Sequence, residues 1–196
     1  ATRAEAQRIN VYRLAALPGP SRVYAASADG RFAKDSGEDE LPVPRELELK
    51  LGARVMLTAS DEAGRWSNGA LATVVGLDEA GATLRDDAGE FRVGPHVWKR
   101  TRFALRDGGV VPVESDRYGQ LPLQPGWALT IHRAQGLTLE RVFVDLSRGA
   151  FAAGQAYVAI SRVTRLDGLL LRARPRAKDF FVHERVSAFL EYLKRQ

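Results

Sequence analysis

Apolar residues along this chain change their spacing twice, and each change marks a different kind of structure. From Thr2 to Leu17 they fall at Ala6, Ile9, Leu14 and Leu17, a helical stripe with Thr2 as its cap. Pro18-Gly19-Pro20 stops it, so one helix is predicted. Arg22 to Ala26 predicts a short strand, and the acidic run from Asp35 to Glu40 with Pro42 and Pro44 predicts a solvated connector. From 45 to about 118 the apolar runs become short, alternating or β-branched, at Ala53 to Thr58, Ala70 to Leu77, Ala82 to Arg85, Phe91 to Val93 and Val110 to Val113. Turn signals separate them, among them Asn68-Gly69 and Asp107-Gly108-Gly109. Strands so short and closely spaced predict a small β-barrel. From Leu121 the pattern reverts to strands alternating with helices. Trp127 to Ile131, Val142 to Leu146 and Leu169 to Leu171 predict buried strands of a parallel sheet. Tyr157 to Ser161 predicts a helical turn, and Val182 to Leu193 an amphipathic closing helix. The expected class is therefore α/β, with a barrel at 45–118 inserted between an α/β portion at 1–44 and its remainder at 119–196.

Composition narrows the function. A chain of 196 residues that is 45% hydrophobic can bury one core, or one core and a small satellite. No apolar run approaches the roughly 18 residues that span a bilayer, and no signal-like segment opens the chain, so a soluble, cytoplasmic protein is expected. The absence of cysteine excludes a disulfide framework and a thiolate metal site. His96, His132 and His183 are too scattered to hold zinc, so no metal held by this chain is expected. The net charge is +5, and from Leu129 onward twelve Lys or Arg face six Asp or Glu, an excess of +6. The basic surface thus belongs to the α/β part and suits a polyanionic partner. With Met56 the sole methionine and Ala1 first, the chain is expected to be a fragment.

Two stretches carry chemistry. Thr130-x-His132-x-x-Gln135-Gly136-x-Thr138 sets a hydroxyl and an imidazole at the end of an expected strand, followed by a glycine that lets backbone approach a ligand. Gly154-Gln155-x-Tyr157-Val158-Ala159-x-Ser161-Arg162 ends a helical turn on an arginine. A guanidinium so placed can stabilise the charge that phosphoryl transfer spreads over phosphate oxygens. Nowhere does the chain contain G-x-x-x-x-G-K-[ST], the backbone cradle for phosphates. The Asp-Glu pairs at 39, 61 and 78 do not follow buried strands and cannot stand in for Mg²⁺-binding carboxylates. In the middle region Trp66 and Trp98 are either barrel core or platforms for stacked bases, and Lys99, Arg100 and Arg102 beside Trp98 favour contact with nucleic acid.

In this order the two stretches resemble the fifth and sixth motifs of superfamily-one helicases of the RecD/Pif type. Leu47-x-Leu49-Lys50-x-Gly52 with Arg65-Trp66-x-Asn68-Gly69 resembles the SH3-like barrel that these helicases insert into their second RecA-like domain, and Thr2-Arg3 with Asn10 resembles their fourth motif. The family usually has Lys-Ser at Arg133-Ala134, Leu at Ile160 and Thr-Asn at Thr2-Arg3. The resemblance implies a RecA-like parallel sheet of the P-loop NTPase type that lacks the P-loop itself, with an SH3-like insertion. It implies the C-terminal portion of an ATP-dependent 5′-to-3′ DNA helicase of the cytoplasm or bacterial nucleoid. Arg162 would be the catalytic arginine finger. Gln135, Gly136 and Arg3 would join it at ATP, and Thr130, His132, Arg133, Trp66, Lys99 and Arg100 would meet single-stranded DNA. ATP with Mg²⁺ would be completed by an N-terminal RecA-like half, so the chain alone is expected to be inactive. The alternative is a non-catalytic nucleic-acid-binding module, or a subunit that completes its site with a separate chain.

Overall fold

The computed structural model describes residues 2–34, 41–106 and 109–195. In chain order its elements are helix α1 (Arg3–Ala15), strands β1 (Arg22–Ala25) and β2 (Ser27–Ala28), the short helix α2 (Arg31–Lys34), strands β3 (Glu46–Leu49), β4 (Arg54–Leu57), β5 (Leu71–Asp78), β6 (Gly81–Asp86), β7 (Gly89–Val93), β8 (His96–Arg106), β9 (Gly109–Gln120), β10 (Leu123–Pro125) and β11 (Val142–Val144), helix α3 (Gln155–Ile160), strand β12 (Leu169–Leu171) and helix α4 (Glu184–Lys194). The acidic run Asp35 to Glu40 and the Asp107-Gly108 step of the expected turn lie outside the described residues. Packing divides the chain into a continuous unit, Ile9–Trp127, and a second unit of Ala1–Arg8 with Ala128–Gln196.

The expected cap of α1 is present. Thr2 N donates to Glu5 Oε2 at 2.9 Å and Glu5 N donates to Thr2 Oγ1 at 3.3 Å, a reciprocal box that satisfies two donors of the first turn.

In the continuous unit, period-2 burial follows the sequence: Glu46–Leu49 reads exposed, buried, exposed, buried. An antiparallel sheet ordered β10-β4-β5-β6-β7 lies beside a pair β1-β3 and a three-stranded sheet β2-β9-β8. Its main core gathers Leu47, Leu49, Val55, Leu57, Val74, Leu84, Leu121 and Leu123. Each aliphatic side chain fully withdrawn from water contributes about 1.5–3 kcal/mol. Gly81 turns β5 into β6 at φ 151°, where any Cβ would stand 2.2 Å from Val93 O. The five-stranded order has two ends, and among the described residues no pairing joins β7 to β10. The expected Asn68-Gly69 turn forms, with Gly69 at φ 91° and Ala70 N donating to Ser67 O, but it closes a longer β4–β5 connection that also holds Asp61 to Trp66.

The boundaries drawn from sequence at 44/45 and 118/119 differ from the packing division. Before residue 45, β1 already pairs with β3 and β2 with β9, while Phe32, Leu41 and Val43 share a core with Tyr118. Buried Gln120 donates through its amide to Tyr24 O at 2.8 Å and Arg45 O at 3.2 Å, tying the early segment to β9. These pairings span dozens of residues, which local pattern does not register.

In the second unit β11 and β12 are parallel, in register from Val142↔Leu169 to Val144↔Leu171. Helix α3 buries Ala156 and Ala159 against Val144 and Leu146. Three expectations are corrected. Trp127 to Ile131 is not a strand: Trp127 packs on the core of the continuous unit, and Thr130 already opens a hydrogen-bonded turn. The sheet is not buried on both faces, since the opposed Phe143 and Leu170 are 62% and 57% exposed. Helix α4 is amphipathic, but its apolar face is left exposed. Val186, Phe189, Leu190 and Leu193 share one stripe, and no residue of the helix is buried. Among the described residues no helix is long and apolar enough to cross a membrane.

Candidate functional site

Thr130 initiates a compact turn. Its carbonyl accepts from Ala134 N at 3.0 Å, its Oγ1 accepts from Arg133 N at 3.3 Å, and His132 O accepts from Gln135 N at 3.2 Å. The hydroxyl thus does the work of a helix cap. Gly136 ends the turn at φ 85°, a left-handed backbone that side chains disfavour, with open space where a Cβ would sit. His132, Arg133 and Gln135 are consequently displayed on an exposed surface.

Arg162 follows the C-cap of α3, Ser161, and is half-buried. Its Nε donates to Val158 O at 2.9 Å, its Nη1 to Leu137 O at 3.2 Å, and its Nη2 to Ser161 Oγ at 2.9 Å. The backbone repeats this link: Leu139 N donates to Arg162 O at 2.8 Å, Thr164 N to Leu139 O at 3.0 Å, and Leu139 bridges Val163 in parallel. The two stretches singled out by sequence are therefore knitted side by side, and the guanidinium fork spans the seam between them.

Sequence reasoning missed the clasp that holds this region. Buried Asp179 accepts from Arg176 N at 2.8 Å and Ala150 N at 3.3 Å, and from the Arg176 guanidinium at 3.2 and 3.3 Å. The Arg176 side chain, followed by its backbone N–H, holds this carboxyl below its ordinary pKa. Gly154 N donates to Phe181 O, and Gln155 Oε1 accepts from Phe151 N, which fixes the start of α3. The only local signal was the Arg176/Asp179 spacing of three residues.

Of the other site residues expected from sequence, Arg3 belongs to the same unit as Arg133. Although Arg133 is exposed as a residue, desolvation of its guanidinium by neighbouring atoms and then the positive charge of Arg3 push its pKa below its ordinary value. Arg133 remains a cation at neutral pH. Trp66, Lys99 and Arg100 belong to the other unit. Trp66 stacks on Phe91 with ring centroids 4.9 Å apart, has the Arg65 guanidinium 4.7 Å from its ring centre, and packs against the main core. Its Nε1 is buried without a hydrogen-bond partner. Lys99 is exposed on β8 opposite Arg117, and Arg100 lies 4.3 Å over the Phe32 ring. Trp98, on the same strand, packs between His96 and Tyr118. Among the described residues no group of three His, Asp or Glu could hold a metal ion.

No protein-family model matches the chain. It is 34% identical over 182 residues to the ATP-dependent DNA helicase PIF1 of Xenopus laevis, a match covering 88% of this chain and 28% of the relative. It is 39% identical over 164 residues to that of Rattus norvegicus, covering 82% and 24%. Among solved structures, unliganded Pif1 from Bacteroides sp. superposes with a TM-score of 0.85 at 29% identity, over 99% of this chain and 44% of that one. Bacteroides sp. Pif1 in complex with ADP-AlF4 gives 0.83 at 29% over 100% and 44%, and Bacteroides Pif1 bound to ssDNA gives 0.76 at 29% over the same shares. The chain spans about a quarter of the length of these curated relatives. Most of it is therefore homologous to one region of Pif1 helicases and shares the mixed α/β fold of the corresponding part of their solved structures.

Proposed function

We propose that this chain is part of a Pif1-type, ATP-dependent 5′-to-3′ DNA helicase and supplies the arginine finger and a share of the single-stranded DNA track. The observation that carries this is the seam at Arg162, where one guanidinium bonds to both Leu137 O and Val158 O and so ties a loop suited to DNA to a helix end suited to phosphate. In this reading 1–44 and 119–196 belong to a second RecA-like domain and 45–118 is its SH3-like insertion, which lies within the β-rich packing unit Ile9–Trp127.

The division of labour follows from chemistry. Arg162 carries a fixed charge in a planar fork, and on turning from its carbonyl partners it would stabilise charge developing on a transferred phosphoryl group. Gln135 and Gly136, at the end of the exposed turn, would face the same nucleotide, with Arg3 as a further cation. Thr130 and His132 would hydrogen-bond the DNA backbone and Arg133 would offset its charge. Mg²⁺ finds no ligand group among the described residues, so its carboxylates, like the phosphate cradle, would come from an N-terminal RecA-like half of the same polypeptide. The uncovered Phe143, Leu170 and α4 stripe support a partner surface on this unit. ATP hydrolysis by the complete polypeptide, with and without single-stranded DNA, tests the reading: DNA-stimulated turnover is expected, and its absence would favour a non-catalytic binding module.

A further inference from the structure

The guanidinium of Arg162 is held at each of its three nitrogens. Nε donates to Val158 O at 2.9 Å, Nη1 to Leu137 O at 3.2 Å and Nη2 to Ser161 Oγ at 2.9 Å. The Ser161 hydroxyl in turn donates to Val158 O at 3.3 Å, so Val158 O, Ser161 Oγ and the fork close a small ring of hydrogen bonds. Two of these acceptors travel with the arginine, because Val158 lies in α3 and Ser161 is its C-cap. The third does not. Leu137 follows the turn that Thr130 opens, and Leu137 N donates to Ala134 O of that turn at 3.1 Å. A phosphate must therefore compete with three acceptors already in place, and whatever reshapes the turn also moves one of them. Because the fork offers its donors in one rigid plane, losing any anchor loosens the others.

We propose that this arrangement stows Arg162 on its own chain, that Ser161 is the positioning residue that keeps it there, and that DNA engaging the Thr130 turn frees the fork by withdrawing Leu137 O. Resting on the helicase reading above, the stow gives ATP turnover a reason to wait for DNA. A charge-assisted hydrogen bond is roughly twice as strong as a neutral one, but Ser161 is exposed and water competes for it, so its hold is modest and reversible. Reversibility is what stowing requires. A residue that only shaped the helix end would be needed equally with and without DNA, whereas one that stows Arg162 matters only in its absence.

Two measurements test this. In the complete polypeptide, Ser161→Ala should raise ATP turnover without DNA about threefold or more, the factor one hydrogen bond sets, and leave turnover at saturating oligothymidine within about twofold of the parent's. The stimulation by DNA should shrink accordingly, and Ser161→Thr, which keeps the hydroxyl, should restore it. Turnover that falls alike with and without DNA, a stimulation that Ser161→Ala leaves unchanged, or one that Ser161→Thr does not restore overturns the proposal. The second measurement reads the fork directly in the 196-residue chain, as NMR exchange of the two Nη groups of Arg162 by rotation about Nε–Cζ, with the signal identified by its loss in Arg162→Lys. Rotation should be slower than in exposed arginines, and should quicken about threefold or more in Ser161→Ala and on addition of oligothymidine. Rotation already as free as in exposed arginines, or indifferent to oligothymidine, also overturns the proposal. Because the Ser161 side chain is exposed, Ser161→Ala should melt as the parent does. The rotation rates need no hydrolysis, so a complete polypeptide without DNA-stimulated turnover would strike the helicase reading while these rates still judge the stow.

Discussion

At the scale of single residues, the Thr2–Glu5 box closes the first turn of α1, and the Arg162 guanidinium joins Leu137 O to Val158 O. The cap at Thr2 follows from short-range pattern, because a capping box spans three residues. Asp179 escaped notice because its worth depends on Ala150 N, which the chain brings to it across 29 positions. Trp66 was open between core and base platform, and its stacking on Phe91 and packing on the main core give its fold a direct stake in the ring. Trp66→Ala should therefore lower the thermal midpoint, costing about 3 kcal/mol, the low end for a truncated tryptophan because the ring is only partly buried. A melting curve checks this, and an unchanged midpoint with weakened DNA binding would return Trp66 to the platform role. Thr130→Ala and His132→Ala should each weaken single-stranded DNA binding by about 1 kcal/mol, the usual worth of one hydrogen bond. Titrations that find both affinities unchanged would remove the turn from the DNA track.

At the scale of elements, alternation located β4 to β7 but missed β8 and most of β9, while the parallel sheet was overdrawn. Trp127 to Ile131 has the apolar run of a buried strand, but nothing in five residues says that Trp127 will leave for another core or that Thr130 O and Oγ1 will be taken by Ala134 and Arg133. Turn elements also yield the clearest pH effect. Asp61 accepts from Arg65 Nε and Nη2, both at 2.8 Å, and from Arg65 N, and the bond from the Arg65 side chain is the main reason its pKa falls from 3.8 to about 2. A depressed carboxyl stabilises the fold above its unfolded pKa and loses that contribution as protons bind. The clamp is thus complete above pH 3.8 and lost as pH falls through about 2. The thermal midpoint of Asp61→Asn should lie below that of the unaltered chain near neutrality, and the gap should close on acidification across this window. A gap that is constant with pH would show that the carboxylate charge is immaterial there.

At the scale of the whole molecule, two compact units with unlike chemistry suit a component of a motor better than a self-sufficient enzyme. Packing draws their boundary elsewhere than the sequence pattern does, because β1, β2 and α2 look like outliers until β3 and β9 are present to pair or pack with them. The chain alone lacks a phosphate cradle, so purified residues 1–196 should hydrolyse ATP no faster than background; robust DNA-stimulated turnover by them would overturn the division of the site between two halves. The central claim is that Arg162 acts on transition-state charge. ATP turnover and single-stranded DNA affinity, measured together on Arg162→Ala in the complete polypeptide, test it most directly. Turnover should fall by about 10³ or more. Affinity should stay nearly intact, because the backbone bonds between Leu139 and residues 162 and 164 still hold the seam. Turnover that survives the substitution, or an equal loss of turnover and affinity, would contradict the account.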